Sequence, residues 1–251
     1  MRSHEENLET VMKHLKDQRF FVMLAALGLF LACGNKTEEQ EAVVAPVQET
    51  QAICMWDEAS LRASPSQQGK WLSAISLGEK VAYLGETALD SSDDNKEYSK
   101  VRLSDGKDGW INSYLIIPNA KAAALVQKTS IYKRPDVLTG TNVEFGPMNM
   151  VAVKSEKDDW IEVVGSQKKK SGWVKNNVVS YKDEDVAVAI LAAKALAEKD
   201  PARQKQKLEA VLNNPAFAGS VFISELQNML SPGSPVQELP DTSGVEEKAE
   251  N

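Results

Sequence analysis

The middle of the chain alternates between short runs rich in β-branched and aromatic residues and short polar turns, which is the pattern of β-strands. Residues 81–84 and 98–103 are two such runs, and the turn pair Asp105-Gly106 follows the second of them. An Asp-Gly pair between two apolar runs is a strong signal for a β-hairpin. We therefore predict a mainly β fold beginning at about residue 52.

The same order of features occurs twice along the chain. Tyr98 of the first copy corresponds to Trp160 of the second, and Trp110 corresponds to Trp173. The two aromatic residues are 12 positions apart in the first copy and 13 apart in the second, as a one-residue hairpin insertion would give. Internal repetition is strong evidence for repeated structural units. It predicts two tandem domains, at residues 52–118 and 119–181.

An alanine-rich region, residues 182–230, follows the second copy and has the start signals of helices. Asp200-Pro201 places a capping side chain before a proline at the first helical position, and Asn214-Pro215 repeats that arrangement. We predict helices over 186–199, 201–212 and 215–230. Their apolar positions form one seam, which packs as a small bundle, packs against the second barrel, or binds a partner. Residues 231–251 are predicted to be disordered.

The first 32 residues have the features of a signal peptide. Residues 20–32 form an uncharged, almost entirely apolar run, and basic residues precede it. A membrane-spanning helix takes about 20 residues, so this run is too short to span a bilayer. The acidic residues 1–11 are atypical of such a start, and Met12 is a better initiator. The alternative is an uncleaved hydrophobic anchor followed by an ordinary cysteine.

The residues Leu29-Phe30-Leu31-Ala32-Cys33-Gly34 resemble the lipobox of bacterial lipoproteins. The family usually has leucine three positions before the cysteine, where this chain has Phe30, and relaxed boxes of this kind resemble those of spirochaetes. The resemblance implies cleavage before Cys33 and acylation of its thiol, by palmitate or a similar chain. Several acyl chains give stable membrane anchoring. Residues 33–51 then form the acylated cysteine and a flexible, polar tether.

The repeated β pattern resembles the bacterial SH3 (SH3b) family, on residues 61–66, 77–81, 101–103 and 109–111. The resemblance implies two small barrels of five or six strands, the second divergent, with an aromatic groove that binds cell-wall peptides or proteins. Its candidate groove residues are Trp71, Tyr83, Tyr98, Trp110, Tyr132, Trp160 and Trp173, with Tyr114 and Phe145 as further candidates. Aromatic residues also form the core of small barrels, and for Trp110 and Trp173 an inward orientation is the favoured interpretation.

Charge and composition limit the chemistry. The net charge of −7 gives no attraction for nucleic acid. Both histidines, His4 and His14, precede Cys33, so cleavage there leaves a chain without histidine, which argues against a zinc site and a nucleophile–histidine pair but leaves carboxylate-only chemistry open. No cofactor and no metal site are predicted. Cys54 is predicted to be buried. The basic run at residues 168–170 is predicted to be a solvated turn.

Together these features predict a non-catalytic envelope lipoprotein that binds cell-wall (peptidoglycan) peptide or an envelope protein through its SH3-like domains. It is expected not to be an enzyme, and to be lipid-anchored in the cell envelope, at the outer membrane. One alternative is a surface adhesin that contacts host proteins. A second alternative is an accessory or assembly factor that docks through its helices.

Overall fold

The structure, a computed structural model, describes residues 49–231, which form two β-sheets followed by three α-helices. This confirms the predicted mainly β fold with a short helical region after it. The predicted signal peptide, Cys33, most of the predicted tether and the tail from residue 232 lie outside the described residues. No helix in the described range is long and apolar enough to cross a membrane.

The first sheet is built from the first sequence repeat. Its strands are β1 (Thr50–Cys54), β2 (Ala59–Arg62), β3 (Trp71–Ile75), β4 (Lys80–Asp90), β5 (Lys96–Arg102), β6 (Asp108–Asn112) and β7 (Ile116–Pro118). They are antiparallel and ordered β3-β2-β6-β5-β4-β1-β7. Leu61, Val101 and Ile111 are fully buried in the core that this sheet encloses. The sheet has seven strands, more than the five or six that the resemblance implies.

The second sheet repeats the first strand for strand. Its strands are β8 (Lys121–Leu125), β9 (Thr129–Tyr132), β10 (Gly140–Phe145), β11 (Met150–Lys157), β12 (Trp160–Gly165), β13 (Ser171–Lys175) and β14 (Val179–Ser180). Their order is β10-β9-β13-β12-β11-β8-β14. Adding seven to each strand number of the first sheet reproduces this order. The two sheets are therefore consistent with two SH3-like barrels, and each has its own apolar core.

The strand β1 begins earlier than the sequence pattern indicates. Thr50 and Gln51, which were assigned to the flexible tether, pair with Tyr83 and Ala82 of β4. The backbone N–H of Asn119 also donates a hydrogen bond to the carbonyl of Gln51, at 2.7 Å. These polar residues are ordered because they pair with strands that are distant in sequence. A local pattern of apolar residues does not reveal such pairing.

The predicted hairpin at Asp105-Gly106 is confirmed and joins β5 to β6. Gly106 has a φ of +83°, a conformation that favours glycine, and its N–H donates to the carbonyl of Leu103. The side chain of Asp105 accepts a hydrogen bond from the N–H of Lys107, at 3.0 Å. The corresponding turn of the second sheet, residues 166–170, has the same length as residues 103–107 and contains a short 3₁₀ turn.

The helices are α1 (Asp183–Leu196), α2 (Pro201–Leu212) and α3 (Ile223–Leu230). Asp200 caps α2 as predicted, since its carboxylate accepts the N–H of Ala202 at 2.9 Å. The predicted third helix is divided: Pro215–Phe217 is a separate 3₁₀ turn, and the α-helix begins only at Ile223. Gly219 and Ser220 lie between the two pieces, and both residue types favour a turn over a helix interior.

A third apolar core joins the two sheets and the helices. Ile53 and Met55 come from the first sheet, and Met150 and Ala152 come from the second. The helices contribute the alanine-lined face of α1 and apolar residues of α2 and α3. The predicted seam therefore packs both as a helical bundle and against the barrels. Because this core is shared, residues 49–231 are held together by packing as well as by the chain.

Candidate functional site

The outer face of the first sheet carries a row of aromatic and cationic side chains. Ile111 is fully buried, so its neighbour Trp110 lies on the opposite, outer face. Trp110 is paired with Arg62 of β2 and with Lys100 of β5. Arg62 is in turn paired with Trp71 of β3. Directly paired residues share a face of a sheet, so the four side chains form one row across four strands.

A cleft of about 320 Å³ opens two residue pairs further along the same strands, at the next pair on the outer face. Tyr98 and Asn112 are paired there, and they form its floor together with Ser60 and Arg62. One wall comes from residues 56–58, and others come from the β2–β3 and β4–β5 loops. This first-barrel cleft, defined by these floor and wall residues, lies within the size range of ligand sites, about 300–1,000 Å³.

Asp90, at the end of β4, fixes the position of two of these walls. Its buried carboxylate accepts hydrogen bonds from the Ser92 hydroxyl at 2.6 Å and from the N–H of Gln67 at 3.3 Å. Hydrogen bonds from the Ser92 and Ser66 side chains lower the pKa of Asp90, although burial opposes this. The β2–β3 loop is therefore held to the β4–β5 hairpin by an ionised carboxylate.

The remaining wall is held by the second barrel. The rings of Trp56 and Tyr114 are 5.0 Å apart, and the Lys168 ammonium lies 4.5 Å from the Tyr114 ring centre. The N–H of Gln167 also donates to the carbonyl of Met55, at 2.9 Å. Burial in this contact lowers the pKa of Lys168. The prediction of a solvated turn is thus wrong for Lys168, which is half-buried and supports the cleft wall.

The cleft carries charges of both signs. Its cationic residues are Arg62 and Lys96, and its anionic residues are Asp57, Glu58 and Asp93. Lys96 lies 2.8 Å from Asp93, and Arg62 donates to the carbonyl of Gly69 at 2.8 Å. A hydrogen bond from Lys194 of α1, at 2.8 Å, lowers the pKa of Asp57. Both signs of charge therefore persist at neutral pH.

The equivalent face of the second sheet is packed differently. Trp160, at the position of Tyr98, is 5% exposed, and Tyr98 itself is 4% exposed, so burial alone does not distinguish the two faces. The Tyr132 ring contacts it edge-on at 4.9 Å, and the Lys175 ammonium lies 3.9 Å from its ring centre. Trp173 is paired with Tyr132 on the same face. These aromatic side chains therefore cover one another, whereas the first sheet has Arg62 at the position of Tyr132 and lines a cleft there.

The structure separates the predicted groove residues into different environments. Tyr98 lines the first-barrel cleft, Trp110 lies beside it, and Trp71 is 58% exposed at the end of the row. Tyr83 packs against the core of the first sheet, and Phe145 is buried in the core of the second.

The expected inward orientation of Trp110 and Trp173 is wrong. The residues that follow them, Ile111 and Val174, are fully buried and take the core positions of β6 and β13. The glycine before each tryptophan leaves room for the neighbouring strand instead: a Cβ on Gly109 would lie 2.7 Å from Leu61.

The polar lining of the cleft was not identified from the sequence. Arg62 and Asn112 alternate with the buried Leu61 and Ile111, so the strand period could have placed them on the outer face. Lys96 and Trp56 could not have been assigned in this way, because their positions depend on a hairpin and on the second barrel.

Cys54 is not suited to nucleophilic chemistry. Its side chain is fully buried, and its thiol donates to the carbonyl of Trp56 at 3.2 Å. Burial raises its pKa to about 11, so the thiol is protonated at neutral pH. The prediction that Cys54 is buried is confirmed. Within residues 49–231 there is no cluster of metal-ligating side chains.

A larger cleft, of about 580 Å³, lies where the two sheets meet. It contains two lysines, and each is already close to a carboxylate. Lys80 lies 2.6 Å from Asp183, and Lys121 lies 3.1 Å from Glu156. This cleft is lined by one aromatic residue, Tyr181, together with Gln51 and Asn176. The first-barrel cleft is the better candidate site, because two aromatic residues, Trp56 and Tyr98, line it beside its polar side chains.

Residues 57–116 match the family model described as "Bacterial SH3 domain". A bacterial SH3 domain is therefore present there, and it contains every residue that lines the first-barrel cleft except Trp56. No curated protein matches the chain.

Several solved structures resemble the chain at low identity. NlpC1 from Trichomonas vaginalis is 15% identical, with 66% of this chain and 52% of that chain covered and a TM-score of 0.23. NlpC2 from the same organism is 14% identical, with 61% and 56% covered and a TM-score of 0.24. An NlpC/P60 endopeptidase from Photobacterium damselae subsp. piscicida is 13% identical, with 57% and 37% covered and a TM-score of 0.23. The match spans about half the length of the two NlpC proteins.

These comparisons contradict two predictions from the sequence: that the chain is not an enzyme, and that it is a non-catalytic envelope lipoprotein. The similar structures are NlpC proteins, one of them an NlpC/P60 endopeptidase. Both predictions depended on a mature chain without histidine, and the removal of His4 and His14 lies outside the described residues. The predictions that the chain is non-catalytic and not an enzyme are not carried forward, whereas the acylated anchor at Cys33 is a separate prediction that these comparisons do not test. The likeness itself assigns no activity and no catalytic residue to this chain.

Proposed function

We propose that the bacterial SH3 domain at residues 57–116 binds a short peptide carrying both a cationic and an anionic group in the first-barrel cleft. The observation that carries this proposal is the cleft itself. Its floor combines the buried ring of Tyr98 with polar side chains and lies between walls that bear both signs of charge. Sites that bind small ligands typically combine apolar walls with a few placed polar groups.

The charges of the cleft fit an anionic group at one end. Arg62 lies on the floor and uses one guanidinium nitrogen to bind the carbonyl of Gly69. A guanidinium has five N–H donors, so it retains several for a carboxylate. Asp57 and Glu58, in the wall beside Trp56, supply the opposite charge for an amino group.

The floor also fits a peptide backbone. The Asn112 side-chain oxygen accepts the N–H of Tyr114 at 2.9 Å, which fixes the amide and assigns its oxygen and nitrogen. The amide nitrogen then has donors for a peptide carbonyl. Trp56, which is half-buried, supplies aromatic surface with few torsions to order, whereas Tyr98 is 4% exposed and contributes only the bottom of the cleft.

The proposal is tested by calorimetric titration of the full chain with four versions of one short peptide. One version has both termini free, two have a single terminus blocked, and the last has both blocked. We expect the free peptide to bind most tightly. Arg62→Ala removes the carboxylate partner and should weaken binding by about tenfold or more, because hydrogen bonds to charged groups contribute about 1.5–3 kcal/mol.

The matched control is Arg203→Ala, which removes an exposed arginine from α2, far along the chain from the cleft residues. It should leave binding unchanged. Equal binding of all four peptides, or equal loss in both variants, contradicts the proposal. Mass spectrometry of the peptide after each titration detects hydrolysis, so peptide binding and peptide cleavage are measured separately.

We also propose that residues 119–181 form a second SH3-like domain and that an acylated Cys33 anchors the chain to a membrane of the cell envelope. The identical strand order of the two sheets supports the second domain. The lipobox-like residues 29–34 support the anchor. The intact mass of membrane-extracted protein tests the anchor. A chain that starts at Cys33 with added acyl mass is expected, and an unmodified chain would contradict the proposed acylation.

A further inference from the structure

The loop that joins β9 to β10, residues 133–139, exposes two adjacent apolar side chains to solvent. Val137 is 64% exposed and Leu138 is 90% exposed. Single apolar residues scattered over a surface are common and need no explanation. A neighbouring pair at the tip of one loop is different, because together the two side chains present a continuous apolar surface.

The loop is held in this exposed conformation by hydrogen bonds. The single donor of the Thr139 hydroxyl lies within hydrogen-bond distance of two carbonyl oxygens, those of Arg134 at 3.0 Å and Asp136 at 2.8 Å. The Asp136 carboxylate accepts the N–H of Leu138 at 2.9 Å, and the N–H of Lys133 donates to the carbonyl of Thr139 at 3.0 Å. The loop cannot rearrange to bury Leu138 without breaking these hydrogen bonds. The exposure of the apolar tip is therefore imposed by the structure of the loop.

Basic side chains flank the tip. Lys133 and Arg134 are both exposed, and neither forms an ion pair with a carboxylate of residues 49–231. Asp136 is the acidic residue of the loop, and its carboxylate is engaged by the N–H of Leu138. The overall charge of −7 does not decide the local interaction, because charges beyond about 8–10 Å are screened at physiological salt.

We propose that the 133–139 loop contacts an anionic lipid surface, with Val137 and Leu138 entering the headgroup region and Lys133 and Arg134 pairing with lipid phosphates. An apolar tip flanked by basic residues is the combination that binds lipid interfaces. A protein partner fits less well, because a stable protein interface buries about 1,200–2,000 Å², far more than two side chains provide. A lipid surface can bind the tip without providing a pocket of complementary shape.

The test attaches an environment-sensitive dye to the full chain and adds lipid vesicles. In a Cys33→Ser background, one variant carries the dye at Leu138→Cys. The matched control carries it at Leu89→Cys, since Leu89 is 63% exposed and lies in the first sheet. Cys54 is fully buried and stays unlabelled. All variants share residues 1–48, so any membrane binding by that segment is common to them.

On phosphatidylcholine vesicles that contain phosphatidylglycerol, the dye at position 138 is expected to brighten about twofold or more as it enters the interface. It should respond much less on pure phosphatidylcholine, and the dye at position 89 should not respond on either. Adding Lys133→Glu and Arg134→Glu to the position 138 variant should abolish the response. No response at position 138, equal responses at both positions, or no effect of charge reversal would each overturn the proposal.

Discussion

We predict that replacing Asp185 with alanine destabilises the whole described unit. Asp185 lies in the first turn of α1 and is completely buried. Its carboxylate accepts the hydroxyl of Ser180, at the end of β14, and the N–H of Val221, before α3, at 2.9 Å. The Ser220 hydroxyl contributes a further hydrogen bond. One side chain therefore connects the second sheet, the first helix and the last helix.

The expected loss follows from the donors that the substitution leaves without a partner. A hydrogen bond to a charged group contributes about 1.5–3 kcal/mol, and a buried orphaned donor costs about 1–3 kcal/mol. The two serine hydroxyls can rotate towards other acceptors, whereas the N–H of Val221 cannot. We therefore expect the free energy of unfolding to fall by about 3–4 kcal/mol, a large part of the 5–15 kcal/mol typical of a folded unit.

The loss should depend on pH in a defined direction. Burial alone would raise the pKa of Asp185, but the hydrogen bonds from Ser180, Ser220 and Val221 outweigh it and lower the pKa. A group with a lowered folded pKa stabilises the protein fully above its unfolded pKa, about 3.9 for aspartate. The contribution is lost as the pH falls through the lower, folded pKa. The difference between wild type and Asp185→Ala should therefore shrink below about pH 4.

Urea unfolding followed by circular dichroism measures both effects. Asp183→Ala is the matched control in the same helical turn: its side chain is 80% exposed and pairs with Lys80. It should cost about 1 kcal/mol or less. If Asp185→Ala unfolds within about 1 kcal/mol of wild type at neutral pH, the reasoning about its buried hydrogen bonds is refuted.

Three further predictions concern the cleft and the cysteine. Lys168→Ala removes the cation over the Tyr114 ring, and should weaken peptide binding by about three- to tenfold in calorimetry while leaving the fold intact; unchanged affinity would mean that the second barrel does not support the cleft wall. Asp90→Ala releases the β2–β3 loop and should weaken the same binding by a similar factor of about three to ten, because the loop must then be ordered on binding. In a Cys33→Ser chain, Cys54 should resist alkylation at about pH 8 until the protein is unfolded in urea; rapid labelling of the native protein would contradict its burial.

Local signals in the sequence predicted much of the fold. The hairpin at Asp105-Gly106 and the capped start of α2 at Asp200 each depend on residues adjacent in sequence. The repeat was visible because the outward tryptophans and the glycines before them occur in both copies. The start of β1 at Thr50 was missed, because that strand is ordered by partners in β4 and β7.

The candidate site was only partly predictable, for a physical reason. Tyr98 and Trp110 were identified as aromatic groove candidates, and both lie at or beside the cleft. The alternation of buried and outward residues in β2 and β6 also indicates that Arg62 and Asn112 face outward. They were not selected from the sequence, because only aromatic residues were considered as groove candidates. The support from Lys168 could not be predicted, because it depends on the docking of one barrel against the other.

The most direct test of peptide binding in the first-barrel cleft uses the five tryptophan indole N–H signals in an NMR titration of the full chain. Trp56 lines the cleft and Trp110 lies beside it, whereas Trp160 and Trp173 lie in the second sheet. With the free-termini peptide, the signals of Trp56 and Trp110 are predicted to shift, and those of Trp160 and Trp173 to stay in place. Shifts confined to the second sheet, or no shift at Trp56, would contradict the account.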